Sequence, residues 1–135
     1  MARVTSKEIP LHDNLRMAEL VAAGLPTQAL REISGSLGIQ MSRVGPLVNI
    51  APKTLQRRLQ AGGRLKPAES ERVVRLMRLV ARAHAVLGDE AKARAWLERP
   101  LRELGGKTAL ELSATEPGAR EVEQVLGRLE HGVFA

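Results

Sequence analysis

Three histidines, two glutamates and a Gly-Gly-Lys-Thr run are the residues of this chain whose types suggest catalytic or ligand chemistry. His12, His84 and His131 lie far apart, and none has a partner at metal-ligand spacing, so no metal site is expected. Glu69 and Glu71 resemble paired carboxylates, but residues two apart on a helix do not face each other. Capping the positive end of a helix is the better use for them. Gly105-Gly106-Lys107-Thr108 has the ending of a phosphate-binding loop, without the earlier glycine or the preceding strand, and reads as a turn. There is no Cys, hence no thiolate nucleophile, disulfide or thiolate metal site. The Ser and Thr residues have no general base nearby in sequence. The expectation is a non-enzyme with no catalytic residue, no metal and no cofactor.

Residues 41–60, MSRVGPLVNIAPKTLQRRLQ, carry a different chemistry. Two short helices that cross closely need a small residue at the crossing, a sharp turn, and apolar side chains to hold their angle. Gly45 is the small residue, and Asn49 tolerates the left-handed backbone of a tight turn. Val44, Val48, Ile50, Leu55 and Leu59 supply the apolar contacts. With Leu55 and Leu59 turned inward, Lys53, Thr54, Gln56, Arg57 and Arg58 face outward. Arg pairs bidentately with guanine, Gln with adenine, and Lys meets phosphate. The pattern is that of a DNA-reading helix-turn-helix, the competing reading being a helical hairpin with a solvated basic face.

These residues need a helical frame, and the spacing predicts one. A first helix is capped by Asp13 or Asn14 and runs to Gly24; Pro26 and Thr27 open a second, which ends at Gly38. Ser42 is expected to cap the third, where Pro46 is tolerable only in the first turn. Pro52 opens the fourth, and Gly62-Gly63 ends it. A long fifth helix places Val73, Met77, Val80, His84 and Leu87 on a buried face, with His84 as a core histidine, and Arg75, Arg78 and Arg82 as a basic stripe on another. Asp89 caps a sixth helix that stops before Pro100. Thr108 caps a short one, and the last carries Val122, Val125, Leu126 and Leu129 inward. Trp96 suits either the core or a partner contact. Phe134 gains little from solvent, so its docking on the chain itself or on a partner is open. No strand is expected, and the fold class is all-α.

Charge divides the chain. Residues 1–82 carry 14 Lys+Arg against 6 Asp+Glu, and residues 83–135 carry 7 against 9. A basic part attracts polyanions and an acidic part does not. No apolar run approaches the roughly 18 residues that a membrane span requires. The N-terminal stretch has no continuous apolar segment, so a cytoplasmic location is expected.

Beyond the motif, the sequence resembles the Xre-type antitoxin family that is paired with RES-domain toxins in type II toxin–antitoxin systems. The matching stretches are TLQRRL (54–59), ESERVVRL (69–76), LGDEAKARAWLERP (87–100), LGGKTALEL (104–112) and TEPGAREVEQVLGRLEHGVFA (115–135). The C-terminal series is the more specific, because a helix-turn-helix is common to many regulators.

The resemblance implies an N-terminal Xre/Cro-like helix-turn-helix domain over 1–64, of which residues 1–11, lacking a clear period, are expected to be flexible. It also implies a connecting and dimerisation helix over 65–88 and a helical toxin-binding domain over 89–135. It implies a homodimer that binds operator DNA of its own operon and represses it. It further implies a partner, a cognate RES-domain toxin that consumes NAD or transfers ADP-ribose, whose active-site cleft the antitoxin covers. The DNA-binding role falls on Lys53, Thr54, Gln56, Arg57 and Arg58. Toxin contact falls on Trp96, Arg120, Glu123, Arg128, Glu130, His131 and Phe134, and Arg72 is expected to pair with an acid. SRVGPLVNIAPKT is richer in glycine and proline than the family's usual helix, and Ala109 stands where proline is common. The alternatives are a stand-alone helix-turn-helix regulator and a binding antitoxin with a degenerate motif.

Overall fold

The computed structural model describes residues 9–132. Among them are eight α-helices and no strand: α1 (Asn14–Ala23), α2 (Gln28–Leu37), α3 (Met41–Leu47), α4 (Pro52–Ala61), α5 (Pro67–Leu87), α6 (Glu90–Glu98), α7 (Ala109–Leu112) and α8 (Glu116–Glu130). The all-α expectation therefore holds. The chain divides into two compact units at Val74–Arg75, within α5. Phe134 lies outside the described residues.

In the first unit, α1 starts where the Asp13 carboxylate accepts from the Arg16 amide at 3.1 Å. α2 buries Ala29, Leu30, Ile33 and Leu37, a face repeating every three to four residues. Each such leucine removed from water contributes about 1.5–3 kcal/mol before entropy is counted. The turn after α1 is held by the segment before α5. The Leu65 amide donates to the Leu25 carbonyl at 2.7 Å, and the Thr27 amide donates to the Gly63 carbonyl at 2.9 Å. The buried Ser70 hydroxyl accepts from the Leu25 amide at 2.8 Å.

Two local expectations are corrected here. α3 begins at Met41 with Gln40 in the capping position and no side-chain cap, so Ser42 does not cap it. Pro46 is in the last turn of α3, not the first. It is exposed, and α3 ends one residue later, so the hydrogen bond that its missing N–H forfeits is among the last that α3 could make.

In the second unit, Asp89 caps α6 through the Ala91 and Lys92 amides at 2.7 and 3.1 Å. Those hydrogen bonds draw the Asp89 carboxyl below its ordinary pKa. Gly105-Gly106 makes a tight turn in which the Leu101 amide donates to the Lys107 carbonyl at 3.1 Å, as a turn rather than a phosphate loop would. Thr108 caps α7 and Thr115 caps α8, at 3.0 and 3.1 Å. α8 buries Val122, Val125 and Leu126, and Leu129 is half-buried.

The buried apolar residues of α5 are Val73, Val74, Leu76, Met77, Leu79 and Ala83. Val73 and Met77 are buried as expected, whereas Val80 and Leu87 are half-buried, and His84 is exposed rather than a core histidine. The sequence offers apolar residues on more than one side of this helix, and packing selected the Leu76–Leu79–Ala83 side.

Candidate nucleic-acid and partner interfaces

The helix-turn-helix is α3, a turn, and α4. Val44 and Val48 are fully buried, and Ile50 and Leu55 nearly so. Gly45 permits the close approach: its carbonyl accepts from the Ile50 amide at 2.9 Å. A Cβ at Gly45 would stand 2.9 Å from the Ile50 carbonyl oxygen and 3.4 Å from Leu55 Cδ2. Asn49 adopts the left-handed backbone expected of it, with φ 54°. Pro52 opens α4, as its fixed φ allows.

On α4 the side chains of Lys53, Gln56 and Arg57 are exposed and Thr54 is half-buried. Arg58 departs from the expectation. Its guanidinium is folded back onto Glu69, with Nε and NH2 donating to the two carboxylate oxygens at 3.1 and 3.2 Å. In the free chain this fork is occupied by Glu69 rather than turned outward like Arg57. Burial alone would push the Glu69 carboxyl up. The Arg58 hydrogen bond, the Lys66 amide and the adjacent positive charges outweigh that and hold it below its ordinary value.

Arg72 was expected to pair with an acid. Instead its Nε donates to the Val48 carbonyl at 2.6 Å and its NH2 to the Asn49 carbonyl at 3.3 Å. Sequence reasoning missed both clasps, although the available signal was the Glu-x-x-Arg spacing, which puts residues 69 and 72 on one helix face. Between α3 and α4 lies an apolar cleft of about 230 Å³ lined by Met41, Pro46, Ile50, Pro52, Leu55 and Leu59.

The expected Arg75/Arg78/Arg82 stripe is not a free cationic surface. Arg75 donates to the Ala114 carbonyl at 3.3 Å. Arg82 makes a two-pronged pair with Glu130 at 2.8 and 2.7 Å and lies 3.6 Å from Glu123. The Arg82 hydrogen bond lowers the Glu130 pKa, and the same bond raises that of Arg82.

Of the expected partner-contacting residues, Arg120, Glu123, Arg128, Glu130 and His131 are exposed on or just after α8. Arg120 pairs with Glu116 at 2.6 Å one turn earlier. Trp96 is only 7% exposed and belongs to the buried face of α6 with Ala93 and Leu97, the core placement of the two expected for it. Among the described residues no cluster of His, Cys, Asp and Glu could hold a metal ion, and no helix is long and apolar enough to cross a membrane.

The two units correspond to two known domains. Residues 16–78 match the antitoxin Xre-like helix-turn-helix domain, and residues 82–132 match the antitoxin Xre/MbcA/ParS C-terminal toxin-binding domain. The chain is 32% identical over 128 residues to an antitoxin Xre of Yersinia enterocolitica, covering 94% of this chain and 86% of that one. It belongs to the Xre antitoxin family. A second antitoxin Xre, from Photorhabdus laumondii, is 32% identical over 113 residues, covering 83% of this chain and 76% of its own. A more distant relative, the Prs ADP-ribosylating antitoxin of Sphingobium sp., is 22% identical over 125 residues, covering 86% of this chain and 79% of the relative.

Xre antitoxins are not enzymes as a class. This family member is an antitoxin of a toxin–antitoxin system with a helix-turn-helix of the DNA-binding kind at its front and a toxin-binding domain behind it.

Proposed function

We propose that this antitoxin neutralises a cognate RES-domain toxin by covering its active-site cleft, and that as a homodimer it represses its own operon through α4. The observation that carries the reading is the order of the two domains in one chain, a helix-turn-helix over 16–78 followed by a toxin-binding domain over 82–132. That a relative is named a Prs ADP-ribosylating antitoxin supports a toxin with ADP-ribose chemistry, and so a RES-type one. The NAD chemistry belongs to the toxin. On this reading Arg120, Glu123, Arg128, Glu130 and His131 meet the toxin, and Lys53, Thr54, Gln56 and Arg57 meet DNA.

Co-expression with the product of the adjacent gene tests it. The expected result is rescue from that protein's toxicity and a complex that co-elutes on size-exclusion chromatography. Two proteins that never co-purify would refute toxin neutralisation. The alternative, a stand-alone regulator, predicts sequence-specific DNA binding with no toxin gene beside it.

A further inference from the structure

The reading of DNA by a helix requires that helix to be held within a fraction of an ångström and roughly 10–20° of its productive orientation. In the first unit the helix before it is poorly equipped to do this alone. α3 is seven residues long and has Pro46, which carries no N–H, in its last turn. Val48 is the C-cap of α3, and the carbonyls of Val48 and of Asn49 after it lie beyond the helical ladder.

We propose that Glu69 and Arg72, one turn apart on α5, are positioning residues that set the angle between α3 and α4 and thereby the sequence preference of this antitoxin for DNA. The inference rests on the DNA-binding reading above. Arg72 grips the end of α3 and the turn, taking the Val48 carbonyl at 2.6 Å and the Asn49 carbonyl at 3.3 Å. A cation there also suits the negative end of the helix. Glu69 grips α4, taking both prongs of the Arg58 guanidinium at 3.1 and 3.2 Å. Its own carboxylate is anchored by the Lys66 amide at 2.9 Å.

Residues three apart share a helix face, so one face of α5 holds both halves of the motif, one through its acid and the other through its base. The Glu69 grip has a second effect. It withholds from DNA an arginine that would otherwise add attraction for any phosphate backbone, and such attraction is sequence-independent.

The test uses the full-length chain, wild type and with Arg72→Lys, Arg72→Met and Glu69→Gln. Fluorescence anisotropy measures affinity for a duplex taken from immediately upstream of the gene and for a scrambled duplex of the same length, over a range of salt. Hydrogen exchange follows the amides of residues 48–50, and thermal unfolding follows the fold.

Arg72→Lys keeps the charge but loses the fork. It is expected to lower the ratio of upstream to scrambled affinity about tenfold, the scale of one good base contact. The slope of affinity against salt should stay unchanged, and exchange at residues 48–50 should quicken. Arg72→Met should do the same or worse. Glu69→Gln should lower the ratio from the other side, by raising affinity for the scrambled duplex as Arg58 is released.

An unchanged ratio in all three variants overturns the inference alone. So does a salt slope reduced by about one in Arg72→Lys and Arg72→Met, which would make Arg72 a direct phosphate contact. Unfolding of both Arg72 variants at 25 °C would make Arg72 a folding residue, again overturning it. A wild-type chain with no preference for the upstream duplex refutes the DNA-binding reading itself, and the inference with it.

Discussion

Two neighbouring arginines on α4 illustrate how far residue type alone reaches. Arg57 is exposed, whereas Arg58 is pinned to Glu69 with only 20% of its side chain accessible. Arg57→Ala is therefore expected to weaken DNA binding and reduce the salt slope by about one, with no change in melting temperature. Arg58→Ala instead leaves a nearly buried carboxylate unpaired, which costs about 1–3 kcal/mol of folding stability, readable by denaturant unfolding. The same pair gives a pH dependence. The Glu69 pKa is lowered in the fold, so its contribution is present above the ordinary value of 4.5 and is lost as pH falls through the lower, folded value. Stability curves of wild type and Glu69→Gln should converge as pH drops from about 5 toward the folded pKa, and parallel curves would contradict this assignment. From sequence, all five α4 residues looked equivalent, because a period of 3.6 places them on one side. Which of them meets a partner from another helix is not a property of the period.

Among the elements, α8 offers an internal control in its two glycines. A Cβ at Gly118 would run into the Leu112 carbonyl at the end of α7, whereas one at Gly127 would meet nothing within 4 Å. Alanine in a helix is favoured over glycine by about 1 kcal/mol. At Gly127 that gain is unopposed, so Gly127→Ala should stabilise the protein by about 0.5–1 kcal/mol. At Gly118 the clash with backbone outweighs it, and Gly118→Ala should destabilise by about 1–3 kcal/mol, the usual scale of overpacking. Paired melting curves check both signs together. Element positions were legible beforehand because their punctuation is local: Asp13, Asp89 and Thr108 all cap through their side chains. The start of α3 was less legible, since Ser42 offers a cap that the structure does not use. The buried face of α5 was misjudged at His84, because apolar residues surround that helix and only its neighbours decide which side is covered.

For the molecule as a whole, the two ends should respond differently to salt. DNA binding through a basic unit depends steeply on ionic strength, because each neutralised phosphate releases counterions. On the proposed reading that toxin contact runs through α8, whose exposed residues Arg120, Glu123, Arg128 and Glu130 mix both signs, toxin binding should depend on it weakly. Titrations of both partners from 50 to 200 mM salt should separate the two slopes, on the order of 10³-fold or more for six or more phosphate contacts. A steep slope for toxin and a flat one for DNA would reverse the assignment of the two parts. What the sequence by itself determined is the helical class, the turns, and the kinship of both parts to Xre antitoxins, since helix propensity, capping and motif spacing are local properties that a linear string retains. Tertiary structure decided which charges are available. Arg58, Arg72, Arg75 and Arg82 are all spoken for by groups 11 to 48 residues away in sequence. Two charges far apart along the chain interact only where folding brings them within a few ångströms, so the sequence showed the cations but not their partners.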